Sequence, residues 1–158
     1  MMTRSPRTQI AALVLSASAL VGIAVHESYR DTAYIPVKGD VPTIGFGTTD
    51  GVKMGDRVTV ERALVKLLAD ANEYERAVKR CVTAPLYQYE YDAYLSLTYN
   101  IGPGAFCNST LVKKLNAYDY PRACAEILRW NKAGGKVLPG LVKRRQAEYE
   151  TCINKNGD

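Results

Sequence analysis

The stretch Ile10–Val25, IAALVLSASALVGIAV, runs sixteen residues without a charge, and the chain turns polar at the next residue. An apolar run of this length must be covered by protein or by lipid, so it constrains every fold open to the chain. As a helix it would span about 24 Å at ~1.5 Å per residue, short of a hydrocarbon core of ~30 Å. Five Ala, two Ser and one Gly, with no Phe or Trp, make it a weak span. Arg4 and Arg7 precede it, the basic-then-apolar layout of an export signal. Three readings are open. Cleavage near Ser16–Ala19 makes it a signal peptide with a short apolar region. Burial makes it a core helix. Weak insertion makes it a temporary membrane anchor, with the N-terminus inside and the rest of the chain outside. The anchor fits the run best.

The polar side of the junction, HESYRDTAYIPVKGDVPTIGFGTT (26–49), holds the chain's only histidine. Pro36, Gly39, Pro42, Gly45 and Gly47 forbid a long helix there, and VPTIGFGTT reads as a short hairpin. Residues 50–59 are a loop. Thr59 is placed as an N-cap, and Leu64, Leu67, Leu68, Ala71, Tyr74 and Val78 recur at helical spacing, so about Val60–Arg80 is one amphipathic helix. Shorter helices follow at Tyr87–Tyr99, at Asn108–Asn116, from Asp119 and Pro121 to Trp130, and at Leu141–Cys152, with KVLPG as a break. The expected class is α+β and mostly helical. A segment of 1–25 precedes a body of 26–158, divided into an N-lobe with a β-hairpin (about 26–59), a connecting helix (about 60–80) and an all-α C-lobe (about 81–158).

A net charge of +5 suits an anionic partner. Zinc-finger spacing and RNA-binding aromatic patterns are absent, which argues against nucleic acid. Cys81, Cys107, Cys124 and Cys152 form no C-x-x-C, and a single histidine makes structural zinc a poor fit. An even count suits two disulfides in an oxidising compartment or four buried thiols in a reducing one. YQYEYDAYLSLTY (87–99) is tyrosine-rich. Packing with the hydroxyl at the edge accounts for most of these rings, with one or two left to stack on sugars.

Glu27 ends the apolar helical stretch, Asp40 lies in a turn, and Thr43 is three residues on. Hydrolysis of a glycosidic bond needs two carboxyls in different settings: one protonated to donate to the leaving oxygen, one charged to activate water or stabilise the oxocarbenium-like state. Glu27 suits the first role and Asp40 the second, and the Thr43 hydroxyl suits holding a water. Asp31 is another candidate second carboxylate. A solvated loop also produces such a trio by chance, so the residues alone leave both readings standing. Ser/His/Asp chemistry lacks support, with His26 the sole histidine and no G-x-S-x-G.

Three ordered segments carry a resemblance. Glu27 followed by R-x-x-A-Y, a turn and PTIGFGTT resembles the catalytic loop of the phage-type lysozymes, glycoside hydrolase family 24. YNIGPGAFCNSTLVKKLN (99–116) and RWNKAGGKVLPGLVKRRQAE (129–148) are similar to two further segments of that family. The resemblance implies a muramidase without cofactor or metal that cuts the β-1,4 bond between N-acetylmuramic acid and N-acetylglucosamine of peptidoglycan and lyses the host cell. Glu27 then matches the proton donor and Thr43 the loop threonine. Tyr99 and Ser109 match positions near the sugar site. Arg144 and Arg145 match the family's R-R pair, expected to cap and solvate the last helix rather than to orient Glu27. The chain departs from the family spacing E-x(8)-D-x(5)-T. Pro36 stands where the acid belongs and Thr43 comes one residue late, which leaves Asp40 as the displaced acid. Thr48 replaces the histidine often found after G-x-G.

The N-terminal run is similar to that of the signal-arrest-release endolysins. That implies export without cleavage to the host inner membrane, contact with its lipid, and release into the periplasm as an active monomer. It also implies disulfides, for which Cys81–Cys107 and Cys124–Cys152 are the expected pairs among three connectivities. Two rivals remain: a peptidoglycan-binding module that has lost its acid, and a lytic transglycosylase on the same fold.

Overall fold

The computed structural model describes residues 5–157. The apolar run is not one helix. It begins as a 3₁₀ turn at Ile10–Ala12, is non-helical through residues 13–16, and becomes helical only in α1, Ala17–Glu27. Ser16 caps α1, its Oγ accepting the Ala19 N–H at 3.1 Å. β1 (Arg30–Tyr34) and β2 (Thr43–Gly45) pair antiparallel. α2 (Val60–Cys81) is the long amphipathic helix, begun by Thr59, which accepts the Arg62 N–H on its hydroxyl. Then come α3 (Gln88–Ile101), α4 (Pro103–Cys107), α5 (Thr110–Asn116) and α6 (Tyr120–Glu126). A 3₁₀ turn (Ile127–Arg129), a two-residue hairpin of β3 (Lys132–Ala133) and β4 (Lys136–Val137), and α7 (Pro139–Cys152) close the chain. The expected α+β, mostly helical class is what forms. The hairpin at 132–137 is an addition to the expected all-α C-terminal part, made by Gly134 and Gly135 at φ +56° and +77°. The helix expected at Asn108–Asn116 forms as α5, capped by Ser109, and the short α4 ahead of it is an addition.

The chain gathers into two units. One comprises residues 20–73 and the other residues 5–19 with 74–157. The divisions fall inside α1 and α2. In the smaller unit β1 has a partner on each edge. Beyond β2, the Ala33 N–H bonds to Asp56 O and the Val58 N–H to Asp31 O, at 3.0 and 2.9 Å. Tyr29 ties the start of β1 to the same segment, donating to Val58 O at 2.7 Å while its ring meets Phe46.

The larger unit holds an apolar core built on Val78, Val82, Leu86, Tyr91, Tyr94, Leu95, Leu97, Phe106, Leu111, Leu115 and Ile127. Ile10 and Leu13 belong to that core, whereas Ala11, Ala12 and Val14 beside them are exposed. The tyrosines of α3 mostly pack, as expected. Tyr91 and Tyr94 are fully buried, and burial drives both hydroxyls well above the usual range, with Glu75 as the hydrogen-bond partner of Tyr91. Two disulfides, Cys81–Cys107 and Cys124–Cys152, join α2 to α4 and α6 to α7, the expected connectivity.

Candidate active site

Glu27 is the last residue of α1 and is half-buried. The next residue, Ser28, sits at φ +60° and donates its N–H to Ala24 O at 3.0 Å, so the helix ends on a left-handed residue. A non-glycine residue held there costs on the order of 1 kcal/mol or more and persists only where its surroundings impose it. The effect is to turn the chain out of α1 immediately after the glutamate.

The G-x-G supplies the other wall. Ile44 and Thr48 exchange both backbone hydrogen bonds, at 2.9 and 3.0 Å, around Gly45-Phe46-Gly47, with the glycines at φ +64° and +84°. Each glycine also marks a close approach. A Cβ on Gly45 would lie 3.0 Å from the Ala63 Cβ of α2. A Cβ on Gly47 would lie 2.8 Å from Glu27 Oε2 and 3.3 Å from its Cδ. The carboxylate of Glu27 therefore rests against bare backbone. Gly47→Ala is expected to displace it and to strain the turn. Since a displacement near 1 Å can cost about 10²-fold in rate, lytic activity should fall by about that factor with a loss of ~1–2 kcal/mol in stability. Turbidity clearing and thermal unfolding check this, and full activity in a folded Gly47→Ala protein would refute the positioning role.

Thr48 stands where the resemblance would often place a histidine. It is buried, and its hydroxyl donates to Asp70 Oδ2 at 3.0 Å, pinning the end of the hairpin to α2. Burial raises the pKa of Asp70, and the Thr48 hydrogen bond opposes that. Composition gave no sign of Asp70.

Thr43 is buried in β2 and donates its hydroxyl to Val41 O at 3.2 Å. Asp40 is exposed. Its N–H closes the turn on Val37 O at 2.9 Å, and its Oδ1 accepts the Val41 N–H at 2.9 Å. Asp31 is exposed and engaged with Arg57 at 3.4 Å. Glu27, Asp40 and Thr43 thus share one unit, whereas Tyr99 and Ser109 belong to the other.

Ser109 caps α5, accepting the Val112 N–H and donating to Phe106 O at 2.6 Å. It also lines a cavity of about 350 Å³ with Asn108, Thr110, Glu126, Arg129 and Trp130. Tyr99 is 8% exposed and packs edge-to-face on Tyr74. Arg144 and Arg145 do not solvate the last helix. They are 6% and 1% exposed and close on Glu148, itself 3% exposed, with ion-pair distances of 3.1 and 2.8 Å. Arg145 reaches Asn100 Oδ1 and Trp130 O, Arg144 reaches Ser96 O, and the Ser96 hydroxyl donates to Glu148. The i,i+3 and i,i+4 spacing of R-R-x-x-E was a readable sign of this cluster. Among the described residues no group of His, Cys, Asp and Glu is arranged to hold a metal ion.

A mostly helical α+β fold with a glutamate delivered from a helix end onto a glycine turn defines a lysozyme-like hydrolase. The family description "Phage lysozyme" matches residues 24–148, and the chain belongs to that family. It is a glycoside hydrolase of lysozyme type with a role in lysis, and peptidoglycan is the substrate the family implies. An endolysin of Acyrthosiphon pisum secondary endosymbiont phage 1 is 43% identical over 138 residues, covering 85% of this chain and 94% of the relative. A SAR-endolysin of Pseudomonas phage phiKMV is 39% identical over 141 residues, covering 87% of each. Among solved structures, an endolysin from Escherichia coli O157:H7 phage FAHEc1 superposes with a TM-score of 0.79 at 36% identity, covering 91% of this chain and 96% of that one.

Proposed function

We propose that the protein hydrolyses the β-1,4 bond between N-acetylmuramic acid and N-acetylglucosamine, with Glu27 as proton donor. The observation that carries this reading is the seat of Glu27, a half-buried carboxyl at a helix end, laid against Gly47 with no side chain between. Asp40 is the second carboxylate. Its exposed turn leaves it open to water, as activation of a water or stabilisation of the oxocarbenium-like state requires. Thr43 orients that water through the lone pairs of a hydroxyl whose proton is already given to Val41 O. Ser109 and Tyr99 border the sugar site, Ser109 on the cavity that also offers the Trp130 ring and the polar groups of Asn108 and Arg129. Asp40→Ala should lose about 10²-fold or more of its lytic rate on chloroform-treated Gram-negative cells, while Asp31→Ala stays near wild type. The reverse pattern moves the role to Asp31.

The second part of the proposal is regulation. Residues 1–25 form the anchor segment and 26–158 the catalytic body. The segment is exported uncleaved, held in the inner membrane with the enzyme inactive, and released to the periplasm as an active monomer. The SAR-endolysin relatives support this. So does the form the segment takes in the fold. No helix of the described residues is long and apolar enough to cross a membrane. A bilayer would demand an unbroken helix over the run, because backbone groups in lipid must be satisfied internally, whereas here the helix is broken at 13–16. The two states exclude each other, and Glu27 lies two residues beyond the run.

A further inference from the structure

Arg7 lies before the apolar run, so a membrane-held form leaves it across the bilayer from the body of the chain. In the folded protein it is bound on the larger unit. Its Nε and Nη2 donate to the two oxygens of Glu90 at 3.0 and 2.8 Å. Its guanidinium lies 3.5 Å from the centroid of the Tyr120 ring and 4.5 Å from that of Tyr87. The Glu90 side chain is only 4% exposed, and it is fixed by accepting the Tyr87 N–H at 2.8 Å. Next along the chain, Thr8 and Leu86 exchange backbone hydrogen bonds at 2.8 Å each. The non-helical residues 13–16 are then held one by one. Lys79 donates to Leu13 O and Gln88 to Val14 O, while the Leu15 N–H is taken by Glu75 and the Ser16 N–H by Asp92. The partners of residues 13–16 all lie on α2 or α3, while those of Arg7 lie at the start of α3 and, in Tyr120, at the start of α6.

We infer that Glu90, Tyr87 and Tyr120 form a built receptor for the basic head of the segment, which captures Arg7 after the segment leaves the bilayer and makes release one-way. The inference rests on the membrane-held reading above. Before capture, Glu90 lacks this partner, and the near-complete burial of its side chain is reached with Arg7 in place. Arrival of Arg7 supplies a bidentate partner and two aromatic faces. Return then requires breaking that clasp and carrying a guanidinium back through hydrocarbon. The same rows of polar partners at 13–16 hold the backbone in a form that lipid does not tolerate.

Two variants separate capture from insertion. Arg7→Lys keeps the positive charge that sets topology, but an ammonium cannot reproduce the planar two-point fork or the stacking. Glu90→Gln lies outside the segment and still accepts the Tyr87 N–H. Full-length wild type and both variants are expressed in a Gram-negative host, and membrane and soluble fractions are measured before and after the membrane potential is collapsed with an ionophore. All three should be membrane-bound at first. After collapse the soluble fraction of both variants should be at least several-fold below wild type. In purified soluble protein, amide exchange at residues 8–16 should rise about tenfold in Arg7→Lys, as expected for loss of a desolvated cation–π and charge-assisted contact, while core amides of α3 stay unchanged. Release and exchange like wild type in both variants would overturn the clasp and leave the anchor standing. Wild type found soluble before collapse would overturn the anchor reading, and the capture step with it.

Discussion

Glu27→Gln should abolish lysis, with a rate loss of about 10³-fold or more, in a protein that folds and melts like wild type. The amide has nearly the same shape and fits the same seat against Gly47, but it has no proton to give to a leaving sugar oxygen. The seat is built for this one side chain. α1 ends on Glu27, Ser28 takes a left-handed conformation to turn the chain away, and the hairpin of Ile44–Thr48 brings a residue without Cβ under the carboxylate. Because the substitution leaves those contacts in place, binding to sacculi should persist while clearing stops. A Glu27→Gln protein that clears cells at even a tenth of the wild-type rate would remove the glutamate from the chemistry.

Arg145→Ala should produce the largest loss of stability. Arg145 is the largest fully buried side chain, and it holds Glu148, Asn100 and Trp130 O together. Truncating it leaves Glu148 with Arg144 and the Ser96 hydroxyl among the described residues, in a site 3% exposed. Removing one partner of a buried ion pair costs about 3–5 kcal/mol, which for a chain of this size lowers Tm by on the order of 10 °C. Replacing Glu148 as well by an apolar residue should recover part of the loss, because the uncompensated carboxylate is then gone. A drop of only a degree or two in the single variant would show that the cluster is not under strain when broken.

What the sequence made legible was what local rules govern. α2 was readable from Thr59 and the apolar spacing that follows it, and the glycines of PTIGFGTT marked the turn that receives Glu27. The break at 13–16 was not. An apolar run looks like one helix, and what interrupts it are side chains sixty or more residues away, Glu75, Lys79, Gln88 and Asp92. One local sign was present, Ser16 as the cap of α1. The hairpin at 132–137 has strands of two residues each, too short for alternation to register. The buried fate of Arg144 and Arg145 depended on Glu148 sharing their face and on a closed site around them, and charge composition alone pointed outward. Asp70 mattered only because Thr48 came to lie against it.

The central claim is hydrolysis of the glycosidic bond by Glu27, and the masses of the fragments released from purified sacculi test it most directly. Wild type should release muropeptides with a free reducing end, each carrying the added water, and Glu27→Gln should release none. Fragments lighter by one water, the 1,6-anhydro products of a transglycosylase, or wild-type yields from Glu27→Gln would contradict the account.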